Sequence, residues 1–301
     1  MTPTPSPGSP QFFVFLPQMR LGIDDLVTRA RTAEAHGFTG MAFMDHLAPP
    51  MAEDRPMYEA MTVATWVAAH TTTLAVGHLV LCDALRHPAV LAKQAITLDH
   101  ASGGRFELGL GWGSVPAELP AYGLTSNGPA ARVQRLGETL DLVDAFWSGG
   151  PVHYDGAHFQ VDAPGQAPPP LGRIPIVIGG IGPKTLALVR RHADWWNLQL
   201  NHLDRLDELR PQVGDARVST QNMVAFVPDE GARAEVDALA QRRFGMMGPG
   251  LVVGNAAELV DNFGELHRRG VDRFYIWFAD FAPPETLAAF GDSVVAPLQA
   301  P

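Results

Sequence analysis

The stretch Leu74–Gly111, LAVGHLVLCDALRHPAVLAKQAITLDHASGGRFELGLG, decides the fold. It opens on an apolar run of strand length, Leu74–Leu81. A helical segment follows from Pro88, a residue suited to a first helical turn because the N–H it lacks would find no intrahelical acceptor there. A second apolar run, Phe106–Gly111, closes the unit. Strand, helix and strand in that order form a βαβ crossover, which calls for a parallel sheet.

The same alternation extends outward in both directions. Upstream, Gln11–Pro17 and Gly40–Met44 read as strands. Between them Ile23, Leu26, Val27, Ala30 and Ala33 recur at helical spacing, and a helix is expected around Met57–His70. Downstream, strands are expected at Ile176–Gly179, Trp195–Leu200, Val218–Val227 and Arg273–Phe278. Helices are expected at Val133–Trp147, from Pro183, at Arg233–Phe244, at Ala256–Arg269 and at Pro284–Val295. Eight strands alternating with helices predict a (β/α)8 TIM barrel, with a doubly wound open sheet as the alternative. Two insertions interrupt it. One is the Gly/Pro-rich Trp112–Ala131 after strand four. The other, before strand five, is a hairpin at Val152–Val161 centred on Asp155-Gly156 and a proline-rich link at Ala163–Pro175. Residues 1–10, with four prolines, read as a disordered tail ahead of a single domain over 11–301.

Composition narrows the function. The 301 residues are 46% hydrophobic, enough for a large core. The formal charge is −10, from 22 basic and 32 acidic residues, and no Lys/Arg run exceeds two, which excludes a nucleic-acid binder. No apolar run of ~20 residues predicts a membrane span. Cys82 is the lone cysteine, so an intrachain disulfide is impossible and a reducing, cytoplasmic setting fits. The eleven histidines lack metal-ligand spacing; His153 and His158 read as surface residues of the hairpin, and no metal site is expected.

In either fold, chemistry collects where strands end. Strand two ends in Asp45-His46: the carboxylate either orients the imidazole for acid–base work, or caps the loop with the ring packed against it. Strand three ends in Cys82-Asp83, with Arg86 close behind. Cys82 reads as a packing residue, and Arg86 either binds a phosphate or holds Asp83. Strand four ends in Gly109-Leu110-Gly111-Trp112-Gly113-Ser114, glycines that admit a flat ligand or a phosphate, with Trp112 a stacking platform or a lid. Strand five ends in Gly179, Gly180, Ile181, Gly182, Pro183 and Lys184, where a helix N-terminus and small residues suit an anion. Phe15, Met44, Trp196 and Trp277 also fall near strand ends, and no cluster of basic groups awaits an anionic substrate.

These stretches together resemble the luciferase-like monooxygenase superfamily, in particular its coenzyme F420-dependent branch. The resemblance runs from Phe12 to Leu298 and is carried by Arg86–Lys93, Leu98-Asp99, Ser102–Gly111, Ala121–Gly123, Ile178–Thr185, His192–Asp194 and Gly270–Asp272. It implies a TIM barrel holding F420, or alternatively FMN, at the strand ends. It implies Asp45 and His46 beside the ring, with His46 the acid–base residue. It implies a bulge with a non-proline cis peptide at Leu79-Val80 behind the ring, with Cys82 adjoining, and phosphate contacts at Trp112, Gly113 and Gly179–Lys184. It implies a homodimer and a separate flavin or F420 reductase as cofactor supplier. Two departures stand out. Ser114 falls where sugar-phosphate dehydrogenases of the branch carry a proton-donating glutamate, and Ile181 replaces a serine of the phosphate loop. The expected activity is hydride transfer between F420 and an apolar or conjugated small molecule. The alternatives are an FMN-dependent monooxygenase and a non-catalytic cofactor-binding protein.

Overall fold

The computed structural model describes residues 8–300 apart from 51, 53, 116 and 126. Eight staves close a parallel barrel: β1 (Gln11–Phe15), β2 (Gly40–Phe43), β3 (Ala75–His78) continued by β4 (Leu81–Cys82), β5 (Leu108–Gly111), then, beyond the hairpin β6 (Val152–Asp155) and β7 (Gln160–Ala163), β8 (Ile176–Gly179), β9 (Trp195–Gln199), β10 (Arg217–Phe226) and, after β11 (Leu251–Gly254), β12 (Val271–Phe278). The seam closes where the Val76 N–H donates to the Arg105 carbonyl and the Glu107 N–H to the Val76 carbonyl, each at 2.9 Å.

Helices α1 (Ile23–Ala35), α2 (Ala60–His70) and α3 (Pro88–Ser102) follow the first three staves. The short α4 (Glu118–Ala121) sits in the excursion before α5 (Pro129–Trp147). Then come α6 (Pro183–His192), α7 (Leu206–Leu209), α8 (Arg233–Phe244), α9 (Ala256–Arg268), α10 (Pro284–Phe290) and α11 (Ala296–Gln299). Local chemistry sets the ends of α3: Pro88 occupies the first turn, and Gly103, at φ 66°, ends the helix in the left-handed conformation.

Alternation along each strand sorts side chains into two layers. Phe12, Val14, Phe274, Ile276 and Phe278 face the helices and join the main core. Phe13, Phe15 and Tyr275 form a separate cluster inside the barrel, joined by Met44, Leu79 and Trp277. The lumen also holds a buried ion pair, Arg273 Nη1 to Glu107 Oε2 at 2.5 Å, with the guanidinium stacked 3.7 Å from the Trp195 ring centre and 4.1 Å from that of Phe13. These residues start their strands, so the pair plugs the amino end of the barrel.

The cis Leu79-Val80 bond that the family resemblance implies is present. Four expectations change. The run Leu74–Leu81 forms two short strands, Ala75–His78 and Leu81–Cys82, rather than one. The strand Leu251–Gly254, pairing with β10 beyond the end of β9, went unread. The hairpin pairs Asp155 with Gln160, so its turn spans residues 156–159 rather than centring on Asp155-Gly156. Of the expected tail, residues 1–7 lie outside the described residues, but 8–10 are bonded to the body: His267 meets the Gly8 carbonyl at 3.0 Å and Gln299 donates to that of Pro10 at 3.3 Å.

Candidate active site

The carboxyl ends of β2, β4 and β5 bring together Asp45, His46, Arg86 and Glu118. Asp45 is 5% exposed and fully engaged. Its Oδ2 accepts from the Cys82 N–H at 2.7 Å and from Arg86 Nη1 at 2.5 Å, and its Oδ1 accepts from Arg86 Nη2 at 2.9 Å. The planar guanidinium fork matches a carboxylate in this bidentate way. Arg86 Nη2 also donates to Glu59 at 2.7 Å, and Glu59 caps the N-terminus of α2 through the N–H groups of Met61 and Thr62. Hydrogen bonds from Thr62, Arg86 and Met61 outweigh burial and bring the Glu59 carboxyl down to about 2.

Two readings of these residues therefore change. Arg86 holds Asp45, not Asp83; Asp83 is taken by Arg135. Nor does Asp45 orient His46. The His46 Nδ1 instead meets Glu118 Oε2 at 2.8 Å, and Glu118 Oε1 accepts the Leu47 N–H at 2.6 Å. Asp45 and His46 lie past the end of β2 at Phe43, where the chain has left the strand, and the two neighbours take different partners. Glu118 was not singled out in the sequence. The signal for it was a lone acid in the excursion that follows a barrel strand.

Beneath this network lies His78, 1% exposed, its ring set against the backbone of Ala60. Burial lowers its pKa to about 4 despite the nearby Asp45 carboxylate. Cys82 is buried as expected, its thiol pushed up to about 11 by desolvation. Its burial and raised thiol fit the packing role expected of it.

The glycines of strand four serve the barrel itself. A Cβ on Gly109 would fall 1.8 Å from the His78 carbonyl oxygen, so the absent side chain admits the neighbouring strand. Trp112, partly buried, packs against the main core with the Arg132 guanidinium 4.7 Å from its ring centre. Trp196 also faces the core, 0% exposed, and its indole N–H donates to the Gly180 carbonyl at 2.9 Å. Of the aromatic and sulfur-bearing residues expected near the mouth, Phe15, Met44 and Trp277 line the lumen, with Leu79 beside them.

The loop Gly179–Lys184 links β8 to α6. Gly180, at φ 123°, is the residue that needs to be glycine for its backbone; Gly182 has an ordinary φ of −70°. Gly182 is the N-cap of α6 and supplies no side-chain acceptor, so the first-turn N–H groups lack a side-chain cap. A Cβ there would meet only the Thr185 hydroxyl, at 3.9 Å, leaving open space over the helix start.

A second missed pattern lies on α5. Arg132, Arg135 and Glu138, three apart, turn inward from an otherwise apolar stripe. Arg135 donates to the Arg86 carbonyl at 3.1 Å as well as to Asp83, and Glu138 accepts the backbone N–H groups of Ala157, His158 and Phe159 in the hairpin turn. His158 is accordingly half-buried, unlike the exposed His153.

A closed parallel barrel with polar groups gathered at its carboxyl end defines an α/β-barrel protein, a fold whose sites lie at the carboxyl ends of the strands. The family model for luciferase-like monooxygenases matches residues 9–220, and the chain belongs to that family. It is 30% identical over 240 residues to an F420-dependent hydroxymycolic acid dehydrogenase of Mycobacterium tuberculosis, covering 79% of this chain and 65% of that protein. It is 32% identical over 176 residues to an F420-dependent glucose-6-phosphate dehydrogenase of Nakamurella multipartita, covering 58% and 52%. The chain thus spans between half and two thirds of the length of these relatives. A solved F420-dependent secondary alcohol dehydrogenase, in complex with an F420–acetone adduct, superposes with a TM-score of 0.80 over 97% of this chain and 100% of its own, at 18% identity. Among the described residues, no helix is long and apolar enough to cross a membrane.

Proposed function

We propose that this chain is an F420-dependent oxidoreductase moving a hydride between the deazaflavin and an apolar or conjugated small molecule. The 240-residue match to a protein named for its F420 dependence carries the reading. The site fits such a cofactor. The uncapped start of α6 and the open space at Gly182 suit a phosphate, and the lumen face of Phe15, Met44, Leu79 and Trp277 suits a flat ring.

When bound, the deazaflavin supplies a hydride-carrying carbon. The chain does the rest. Gly179–Lys184 would hold the phosphate through backbone donors. Leu79 and Val80 would support the ring, with Cys82 adjoining. The apolar wall excludes water. His46, half-buried beside the lumen, exchanges the proton that accompanies the hydride. Asp45, locked to Arg86, holds the β2 and β4 ends in register beneath the cofactor. Ser114 is exposed and carries no proton-donating acid, which argues against a sugar-phosphate substrate. Reduced cofactor would come from a separate reductase, and the protein would act as a homodimer.

Titrating the purified protein with F420 and FMN separately, followed by fluorescence, tests this. F420 is expected to bind at least tenfold more tightly, about 1.4 kcal/mol. Equal affinities, or FMN co-purifying in stoichiometric amount, would reject the assignment.

A further inference from the structure

The His46–Glu118 contact joins residues 72 apart in sequence, and both are largely enclosed: their side chains are 13% and 9% exposed. Both carboxylate oxygens of Glu118 are used, Oε1 by the Leu47 N–H and Oε2 by the imidazole. A carboxylate only accepts hydrogen bonds, so the shared proton belongs to Nδ1. In the neutral ring, Nε2 then keeps its lone pair. No hydrogen bond to Nε2 occurs among the described residues. Asp45 cannot take over this task, because its oxygens are bonded to Arg86 and the Cys82 N–H.

We propose that Glu118 is a positioning residue that holds His46 in the Nδ1–H tautomer and thereby makes Nε2 the proton-accepting atom. The inference rests on the reading of His46 as the proton-handling group. Its physical core, the tautomer, is measurable without cofactor or substrate.

The Leu47 N–H makes a sharp test available. In Glu118→Gln the one remaining oxygen is claimed by that N–H, so the carboxamide NH2 must face the imidazole. It can only donate, and Nδ1 must then accept. The substitution is isosteric, yet the tautomer should invert to Nε2–H. Histidine 15N-labelled protein, observed at about pH 9 where an ordinary histidine is neutral, reads this by two-bond 1H–15N correlations. The His46 signals are assigned by their absence in His46→Asn. The parent is expected to show Nδ1–H, Glu118→Gln to show Nε2–H, and Glu118→Ala to lose the fixed Nδ1 proton. A parent spectrum with Nε2–H overturns the proposal even if every variant fails to fold. An unchanged tautomer in folded Glu118→Gln and Glu118→Ala overturns it too, since something other than Glu118 would then hold the ring. F420 affinity, measured on the same samples, is expected to stay within twofold of the parent. If the parent binds no F420, the cofactor assignment falls and the tautomer result stands alone.

Discussion

His78 shows how one side chain can shape the acid limb of stability. Its ring is fully enclosed, and burial brings its folded-state pKa to about 4, below the ordinary 6.5. Above pH ~6.5 the ring is neutral in both states and costs nothing electrostatically. As pH falls below that, the unfolded chain binds a proton that the folded chain refuses, so stability drops until the folded pKa is passed. One such group gives a slope of about 1.4 kcal/mol per pH unit. Urea unfolding between pH 6.5 and 4 should show that slope for His78, and His78→Leu should flatten the curve by the same amount. An identical pH dependence in the variant would mean that the ring is solvated. Glu59 acts in the same direction at lower pH: its depressed carboxyl favours the fold above the ordinary carboxylate range and loses that effect as pH falls toward about 2. Residue-scale reasoning from sequence identified Asp45 and His46 but not their partners. Pairing each with its neighbour was natural in one dimension. The true partners, 41 and 72 residues away, are set by which strand ends become adjacent when the barrel closes.

At the scale of elements, the β8–α6 loop separates two roles that glycine can play. Gly180 serves its own backbone: at φ 123° a Cβ is strained, and the Thr185 methyl would lie 3.2 Å away. Gly182 has an ordinary φ of −70°, so its backbone conformation does not require glycine, and in the proposed function its small size leaves room for the phosphate. Gly182→Val should leave the melting temperature near the parent's while weakening F420 at least tenfold. Gly180→Ala should lower both stability and affinity. Lys184→Ala should weaken binding only slightly, because an exposed charge contributes about 0–1 kcal/mol. Calorimetric melting and F420 titration of the three variants check this; full affinity in folded Gly182→Val would place the phosphate elsewhere. Most elements were legible because buried strands are apolar on both faces and the helices keep a 3.6-residue period. Leu251–Gly254 was not. It is four residues long, largely half-exposed, and follows a Gly- and Met-rich segment that breaks the alternation.

At the scale of the whole molecule, a broad apolar groove lies outside the barrel. A groove of about 1570 Å³ runs between α2, α3 and the 160–167 segment, with Trp66 45% and Val90 53% exposed. Small-molecule sites typically fill about 300–1,000 Å³, so the groove suits a helix better than a metabolite. A two-fold pairing in which α2 of one copy enters the groove of another would cover Trp66 on both sides at once. Light scattering should give a dimer for the parent and a monomer for Trp66→Glu. A monomeric parent at micromolar concentration would remove the second copy from the proposed function. Composition could not have located this surface, because exposed and buried apolar residues count alike until the helices are placed.

The Arg273–Glu107 pair, wedged among Trp195, Phe13 and Tyr275, leaves the barrel blind-ended. Any two molecules that meet inside must share a single doorway. Whichever is seated deeper has to arrive first and depart last, so the plug at the far end of the strands imposes an order of traffic that no residue at the mouth needs to enforce.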